Sequence, residues 1–283
     1  MKFTKMHGLG NDFIILDAIE DDLSGVDYAD FAVKYCNRNF GIGADGLIVV
    51  EKSTSADATM RIFNSDGSEP EMCGNGIRCF ARYVYEKGEI KKEVISVETK
   101  AGIIVPALIF EGEVIRAIEV DMGEPRLMRK EIPMIGGGPD QQVIDEEITL
   151  SDKSPIRVTA VSMGNPHCVV FVEDVHKTDV ANIGRYIENM ELFPEKTNVE
   201  FIQVIDKNNI IMRVWERGVG ETLACGTGAC ASAVASVLTG RTGREVMVQL
   251  AGGNLKIEWQ EEDNHVYMTG TAETVFTGEI QGA

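Results

Sequence analysis

The chain has 283 residues, 44% hydrophobic and 25% charged, a length and composition that suit two ordinary domains with buried cores. Its formal net charge of −18 argues against nucleic acid as a partner, because binders of the phosphate backbone carry basic patches. No apolar run of about eighteen residues marks a membrane span, and the polar, glycine-broken opening Met1-Lys2-Phe3-Thr4-Lys5-Met6-His7-Gly8 lacks a signal peptide's apolar region. Six cysteines in such a chain point to free thiols in a reducing compartment, with the cytoplasm expected.

In chain order, short apolar or alternating runs bounded by turn residues predict strands at 14–17, 46–51, 59–63 and 94–98. Between the last two, a helix is predicted from Ile77 through Tyr85, stopped by Gly88. Gly136-Gly137-Gly138-Pro139-Asp140 and the acidic stretch through Glu147 predict an exposed loop or linker with no chemistry of its own. Further strands are predicted at 168–172, 200–205, 210–215 and 246–250. An alanine-rich helix runs from Ala229 to Leu238 before Gly240, and its near absence of charge predicts burial on almost every side.

The two series are one pattern written twice. Met60-Arg61-Ile62-Phe63-Asn64 recurs as Met212-Arg213-Val214-Trp215-Glu216, and Cys73-Gly74-Asn75-Gly76 recurs as Cys225-Gly226-Thr227-Gly228, both 152 residues on. Gly88 matches Gly240 at the same offset. Gly10-Asn11 resembles Gly164-Asn165, and Ala101-Gly102 resembles Ala251-Gly252, with the offset drifting by only two residues. The expected fold is α/β in the α+β sense: two pseudo-symmetric domains from an internal duplication, each a β-barrel-like sheet wrapped around a central helix. An active site in the cleft between them is expected.

Duplication also sorts the cysteines. Cys36, Cys79, Cys168 and Cys230 have no cysteine at the equivalent position, and each reads as a small buried hydrophobe. Only Cys73 and Cys225 are paired by the repeat. In Cys-Gly-x-Gly at a helix start, glycines let backbone N–H groups converge, and the helix N-terminus adds partial positive charge. A thiol there can fall from ~8.5 into the range of about 3.5–7.5, and the same amides suit a bound carboxylate. One such group on each side of a stereocentre is what inversion requires: a base removes the α-proton from one face and an acid returns one to the other. Zinc is disfavoured, since no Cys-x-x-Cys or His-x-x-x-His pair supports the two thiols. A hydrolase would need one nucleophile rather than two equivalent ones.

Five motifs together resemble the diaminopimelate epimerase family nearly end to end. They are His7-Gly8-Leu9-Gly10-Asn11-Asp12-Phe13, Asn64-Ser65-Asp66-Gly67-Ser68, Cys73-Gly74-Asn75-Gly76, Met163-Gly164-Asn165-Pro166-His167, and Trp215-Glu216-Arg217-Gly218 followed by Ala224-Cys225-Gly226-Thr227-Gly228. The resemblance implies interconversion of LL- and meso-diaminopimelate without pyridoxal phosphate, other cofactor or metal, for lysine and peptidoglycan synthesis, by a homodimer. It implies Cys73 and Cys225 as the acid/base pair, with His167 and Glu216 helping to set thiol protonation. Asn11, Asn64, Asn165, Asn198, Glu216 and Arg217, with Gly74-Asn75 and Gly226-Thr227, would hold the substrate. The halves expected are residues 1–124 with 272–283, carrying Cys73, and 125–271, carrying Cys225.

Plainer readings stand beside these. Asn11 and Asn165 follow glycines and also suit turns, His167 also suits a packed neutral residue, and His7, His176 and His265 read as structural or surface groups. Some relatives carry glutamine where Gly46 stands, so Gly46 is left out of the site. A proline racemase or hydroxyproline epimerase is the nearest rival, but those usually read Cys-Gly-His at the first thiol and carry an Asp-Arg-Ser-Pro run before the second. Here Cys73-Gly74-Asn75 and Glu221-Thr222-Leu223-Ala224 stand instead.

Overall fold

A computed structural model describes residues 1–281. The chain divides into two compact units: Met1–Asp121 with the segment from Thr269 onward, and Met122–Met268.

In the first unit, strands Lys2–Gly8 and Asn11–Asp17 form an antiparallel hairpin around a turn at Leu9 and Gly10, both with positive φ. Asn11–Asp17 then pairs in parallel with Gly46–Glu51, which pairs antiparallel with Ala58–Asn64. That strand is parallel to Val97–Thr99, which turns back antiparallel to Gly102–Ile104. Parallel neighbours need a crossover, and each crossover here carries a helix. Helix α1 (Tyr28–Tyr35) bridges the first parallel pair and α2 (Gly74–Lys87) the second. The C-terminal strand Glu273–Glu279 adds antiparallel to Lys2–Gly8.

The second unit repeats the order of pairings. Pro155–Ser162 and Pro166–Phe171 are antiparallel, Pro166–Phe171 and Asn198–Val204 parallel, and Asn198–Val204 and Asn209–Glu216 antiparallel. Asn209–Glu216 is parallel to Glu245–Leu250, which is antiparallel to Gly253–Trp259. Helices α3 (Val180–Glu188) and α4 (Gly226–Leu238) occupy the same two crossovers as α1 and α2. The duplication read from the sequence is thus a repeat of topology, and the second unit turns the equal-length stretch before Cys225 into a short strand, Gly220–Thr222, antiparallel to Asn209–Glu216.

Burial explains why these segments form. Asn209–Glu216 and Val266–Gly270 alternate buried and half-exposed residues, the mark of a sheet with one covered face. Gly46–Glu51 and Pro166–Phe171 are buried almost continuously and lie inside. Helix α4 packs against strands 155–162, 166–171, 198–204, 209–216, 245–250 and 253–259, so the sheet curls around it. Ser232 and Ser236, inside that apolar helix, return their hydroxyls to the carbonyls of Gly228 and Ser232 at 2.7 and 2.8 Å. Gly88 closes α2 in the left-handed conformation with φ 82°.

Differences from the sequence reading concern edges. Both central helices begin directly after their cysteine, earlier than predicted, because glycine and asparagine in a first turn carry little helical signal. The strand expected at 94–98 shortens to Val97–Thr99, with Val94 making only a single bridge to Ala107. The exposed linker expected through Glu147 ends sooner, since Glu146–Thr149 pairs with Pro155–Ser162. Helices α1 and α3 lie in stretches to which no element was assigned.

Candidate active site

Cys73 is the N-cap of α2, in extended backbone at φ −140° and ψ 119°, and is half-buried. Its Sγ lies 3.7 Å from Asn11 Oδ1, the first residue of its strand. The Asn11 amide is held at both ends: Oδ1 accepts from Asn75 Nδ2 at 3.1 Å, and Nδ2 donates to Asp45 Oδ2 at 2.8 Å. Asn75 is held in turn by Arg78, a fully buried guanidinium that donates to Asn75 Oδ1 at 2.8 Å, Gly74 O at 3.0 Å and Thr271 O at 3.2 Å. Arg38 bridges Asp45 and Asp12, both at 2.7 Å. Burial alone would raise the Asp12 carboxyl, but hydrogen bonds from Arg38 and Lys5 overcome it and hold it at about 2. Cys73, Asn11, Gly74 and Asn75 therefore form one ordered group. Asn64 ends its strand, exposed, and donates to Ser68 Oγ at 2.9 Å.

Gly46 explains itself locally. A Cβ there would lie 2.6 Å from the Phe63 carbonyl oxygen, so no side chain fits without a shift of the strand.

Cys225 is the N-cap of α4, buried at 7% exposure, and its Sγ accepts from the Gly228 amide at 3.4 Å. Thr227 Oγ1 is 3.6 Å away. Burial pushes this thiol well above its usual range, and the charges of Glu216 and Glu200 push it further, against Thr227 and the Gly228 amide. The sequence predicted a depressed value. The helix start and the donors are present as predicted, but exclusion of water and two carboxylates outweigh them.

Glu216 ends its strand as Asn64 does in the first unit, and accepts a short hydrogen bond from Thr222 Oγ1. Burial raises its carboxyl, although that bond opposes the rise. His167 is fully buried, with Nδ1 2.7 Å from Glu200 Oε1 and Nε2 3.0 Å from Asn165 Oδ1. Burial raises the Glu200 carboxyl and His167 pulls it back. Cys225, Thr227, Glu216, His167 and Asn165 thus gather around the start of α4, with Gly226 in its first turn. Asn198 and Arg217 are joined differently: Asn198 is buried, donates to Pro166 O at 3.0 Å and accepts from the Arg217 amide at 2.9 Å. The Arg217 guanidinium is exposed, with Nη1 on Glu195 O at 2.9 Å.

Glu200, Arg78 and Asp45 were not singled out from the sequence. Glu200 had a signal, because the repeat sets it opposite Ile48, a carboxylate against a hydrocarbon. The remaining cysteines are buried, and burial pushes Cys36 and Cys79 up to about 12 and Cys168 higher. Among the described residues, no three His, Cys, Asp or Glu side chains are placed to hold a metal ion, and no helix is long and apolar enough to cross a membrane.

The duplicated α+β fold is that of a broad class of solved structures. A phenazine biosynthesis protein of the PhzF family from Bacillus anthracis superposes with TM-score 0.69 at 20% identity, covering 99% of this chain and 98% of that one. A hydroxyproline epimerase from Agrobacterium vitis superposes with TM-score 0.67 at 16% identity, covering 99% and 90%. Within that class the sequence is specific. The family model described as diaminopimelate epimerase matches residues 3–128 and 159–275, and the chain belongs to that family. It is 58% identical over 280 residues to a diaminopimelate epimerase of Moorella thermoacetica, covering 99% of both chains. To one from Heliobacterium modesticaldum it is 56% identical over 282 residues, and to one from Methanococcus maripaludis 53% over 280, again covering 99% of each.

Proposed function

We propose that the protein epimerises LL-2,6-diaminopimelate to the meso form with two cysteines as acid and base, without pyridoxal phosphate or metal. The observation that carries this reading is the pairing of Cys73 and Cys225, each capping the central helix of its own repeat, in a chain of this family. In the direction starting from the LL isomer, Cys73 as thiolate takes the α-proton and becomes a thiol. Cys225 as thiol gives its proton to the opposite face and becomes a thiolate. The reverse reaction exchanges these roles, and proton exchange with solvent restores the starting state. Burial favours the protonated form of Cys225, which suits it to begin as the acid. Cys73, half-buried where Cys225 is buried, suits the base.

The carbanion formed between the two steps needs donors already in place. Gly74-Asn75 and Gly226-Thr227 supply backbone N–H groups at helix starts, where a substrate carboxylate is also favoured. Asn11, Asn64, Asn165 and Asn198 recognise ammonium and carboxylate ends with neutral amides. Arg217 offers its exposed planar fork to a carboxylate. Glu216 raises the Cys225 thiol directly, and His167, which lowers the Glu216 and Glu200 carboxyls, would help tune it through them. The product would feed lysine and peptidoglycan-precursor synthesis in the cytoplasm, with the enzyme acting as a homodimer. Turnover of LL-diaminopimelate, followed by chiral separation of the isomers, tests the substrate. Inversion of proline or hydroxyproline instead would establish the rival reading.

A further inference from the structure

Glu200 is a costly residue where it stands. It is fully buried, and its Oε2 has no hydrogen-bond partner among the described residues. The fold does not demand it. The repeat sets Glu200 opposite Ile48 and His167 opposite Phe13, so the first unit builds the same two places from hydrocarbon. The equivalence holds in space as well. A Cβ on Gly76 would touch Ile48 Cδ1 at 3.4 Å, and a Cβ on Gly228 would lie 2.7 Å from Glu200 Oε1. Each residue therefore lies beneath the first turn of its cysteine's helix. Buried ion pairs are often replaceable by apolar packing at no loss of stability, and this chain contains both solutions. The polar one sits beside Cys225, Glu216 and Cys168.

Proton positions follow from the partners. His167 Nε2 faces the Asn165 oxygen at 3.0 Å, so that nitrogen carries a hydrogen. Across the 2.7 Å between Nδ1 and Glu200 Oε1 lies a second proton, whichever atom holds it. We propose that Glu200 is a positioning residue for the epimerase reaction: acting through His167, it locks the Asn165 amide with its oxygen inward and its NH₂ group turned to receive a substrate carboxylate. Without Glu200, Nδ1 can take the single hydrogen of a neutral imidazole. The bare Nε2 then draws the amide around, and an oxygen faces the carboxylate instead. The inference rests on the proposed function for its substrate, but the state of the ring does not.

The test is a double-mutant cycle read by steady-state kinetics with LL-diaminopimelate. Glu200→Leu and Asn165→Ala should each raise KM roughly ten- to a hundred-fold, with a smaller change in kcat. The double variant should have a KM no higher than that of Asn165→Ala, because both rises in KM act through one amide, whereas the Glu200 charge acts on Cys225 separately and is read in kcat. Glu200→Gln, which can still hold Nδ1, should restore most of the affinity. Additive rises in KM, or an unchanged KM in Glu200→Leu, would overturn the proposal. Should Glu200→Leu not fold, the pair Glu200→Ile with His167→Phe reproduces the first unit's packing and takes its place in the cycle. Ring ¹⁵N NMR of the wild-type protein needs no turnover: a protonated Nε2 on His167 is expected, and a bare one contradicts the proposal. A wild-type protein inactive on diaminopimelate but protonated at Nε2 would remove the substrate assignment and leave the positioning intact.

Discussion

The Gly228 amide donates to Cys225 Sγ at 3.4 Å, so the sulfur caps the helix that it begins. Serine is a good N-cap, so Cys225→Ser should keep stability within about 0.5 kcal/mol of wild type. The same change should lower epimerisation by about 10²–10⁴-fold or more, since a serine hydroxyl is a poor proton donor and base at neutral pH. Cys73→Ser should behave alike, while Cys79→Ala and Cys230→Ala should keep activity in whatever fraction folds. Urea melts and turnover, measured on the same preparations, check this. Equal activity losses at all four positions would sink the assignment.

The repeat makes much of this legible in the sequence alone. Period-two runs, two glycine stops and one duplicated motif were enough for the central strands, both central helices and the pair of thiols. Helices α1 and α3 escape because they run only 8 and 9 residues, too short for a clear helical period, although each starts at a capping aspartate, Asp27 and Asp179. The environment of Cys225 escaped for another reason. A helix start can be read from Cys-Gly-x-Gly, but the burial that outweighs it, and the Glu216 and Glu200 charges that add to it, depend on how the strands pack around α4. Arg78 carries no such mark in the sequence, yet it is fully buried and its donors hold Gly74, Asn75 and Thr271.

Arg78→Met should cost on the order of 3 kcal/mol, because Gly74 O, Asn75 Oδ1 and Thr271 O lose their donor together. Arg78→Lys should recover little of it, since an ammonium cannot reproduce a planar guanidinium reaching three acceptors. Chemical denaturation measures both, and a loss below about 1 kcal/mol in Arg78→Met would contradict the role drawn here.

Alkylation should separate the cysteines. With native protein at neutral pH, iodoacetamide should label Cys73 first, as the half-buried thiol among five buried ones. Cys36 and Cys79, pushed up to about 12, and Cys168, pushed higher, should react last, and Cys225 should lag behind Cys73. Peptide mass spectrometry over a time course gives the order. Early labelling of Cys36 or Cys168 would contradict it.

Glu89 should make stability fall as pH rises. Burial, then the neighbouring Asp17 and Glu20 carboxylates, raise its carboxyl from an ordinary 4.5 to about 7, with Lys87 opposing. The folded protein therefore holds this proton where the unfolded chain has released it, so the contribution is complete below about pH 4.5 and is lost as pH rises through 7. Glu89→Gln should match wild type near the acid end of that window and exceed its Tm above it. Parallel Tm curves for the two proteins between the acid and alkaline ends would refute the shift.

Solvent hydrogen exchange reaches the central claim most directly. In deuterated water, LL-diaminopimelate should gain deuterium at the inverted α-carbon as the meso form appears, and inversion should stop in both Cys73→Ser and Cys225→Ser. Inversion without deuterium incorporation, or exchange with proline but not with either diaminopimelate isomer, would contradict a two-thiol diaminopimelate epimerase.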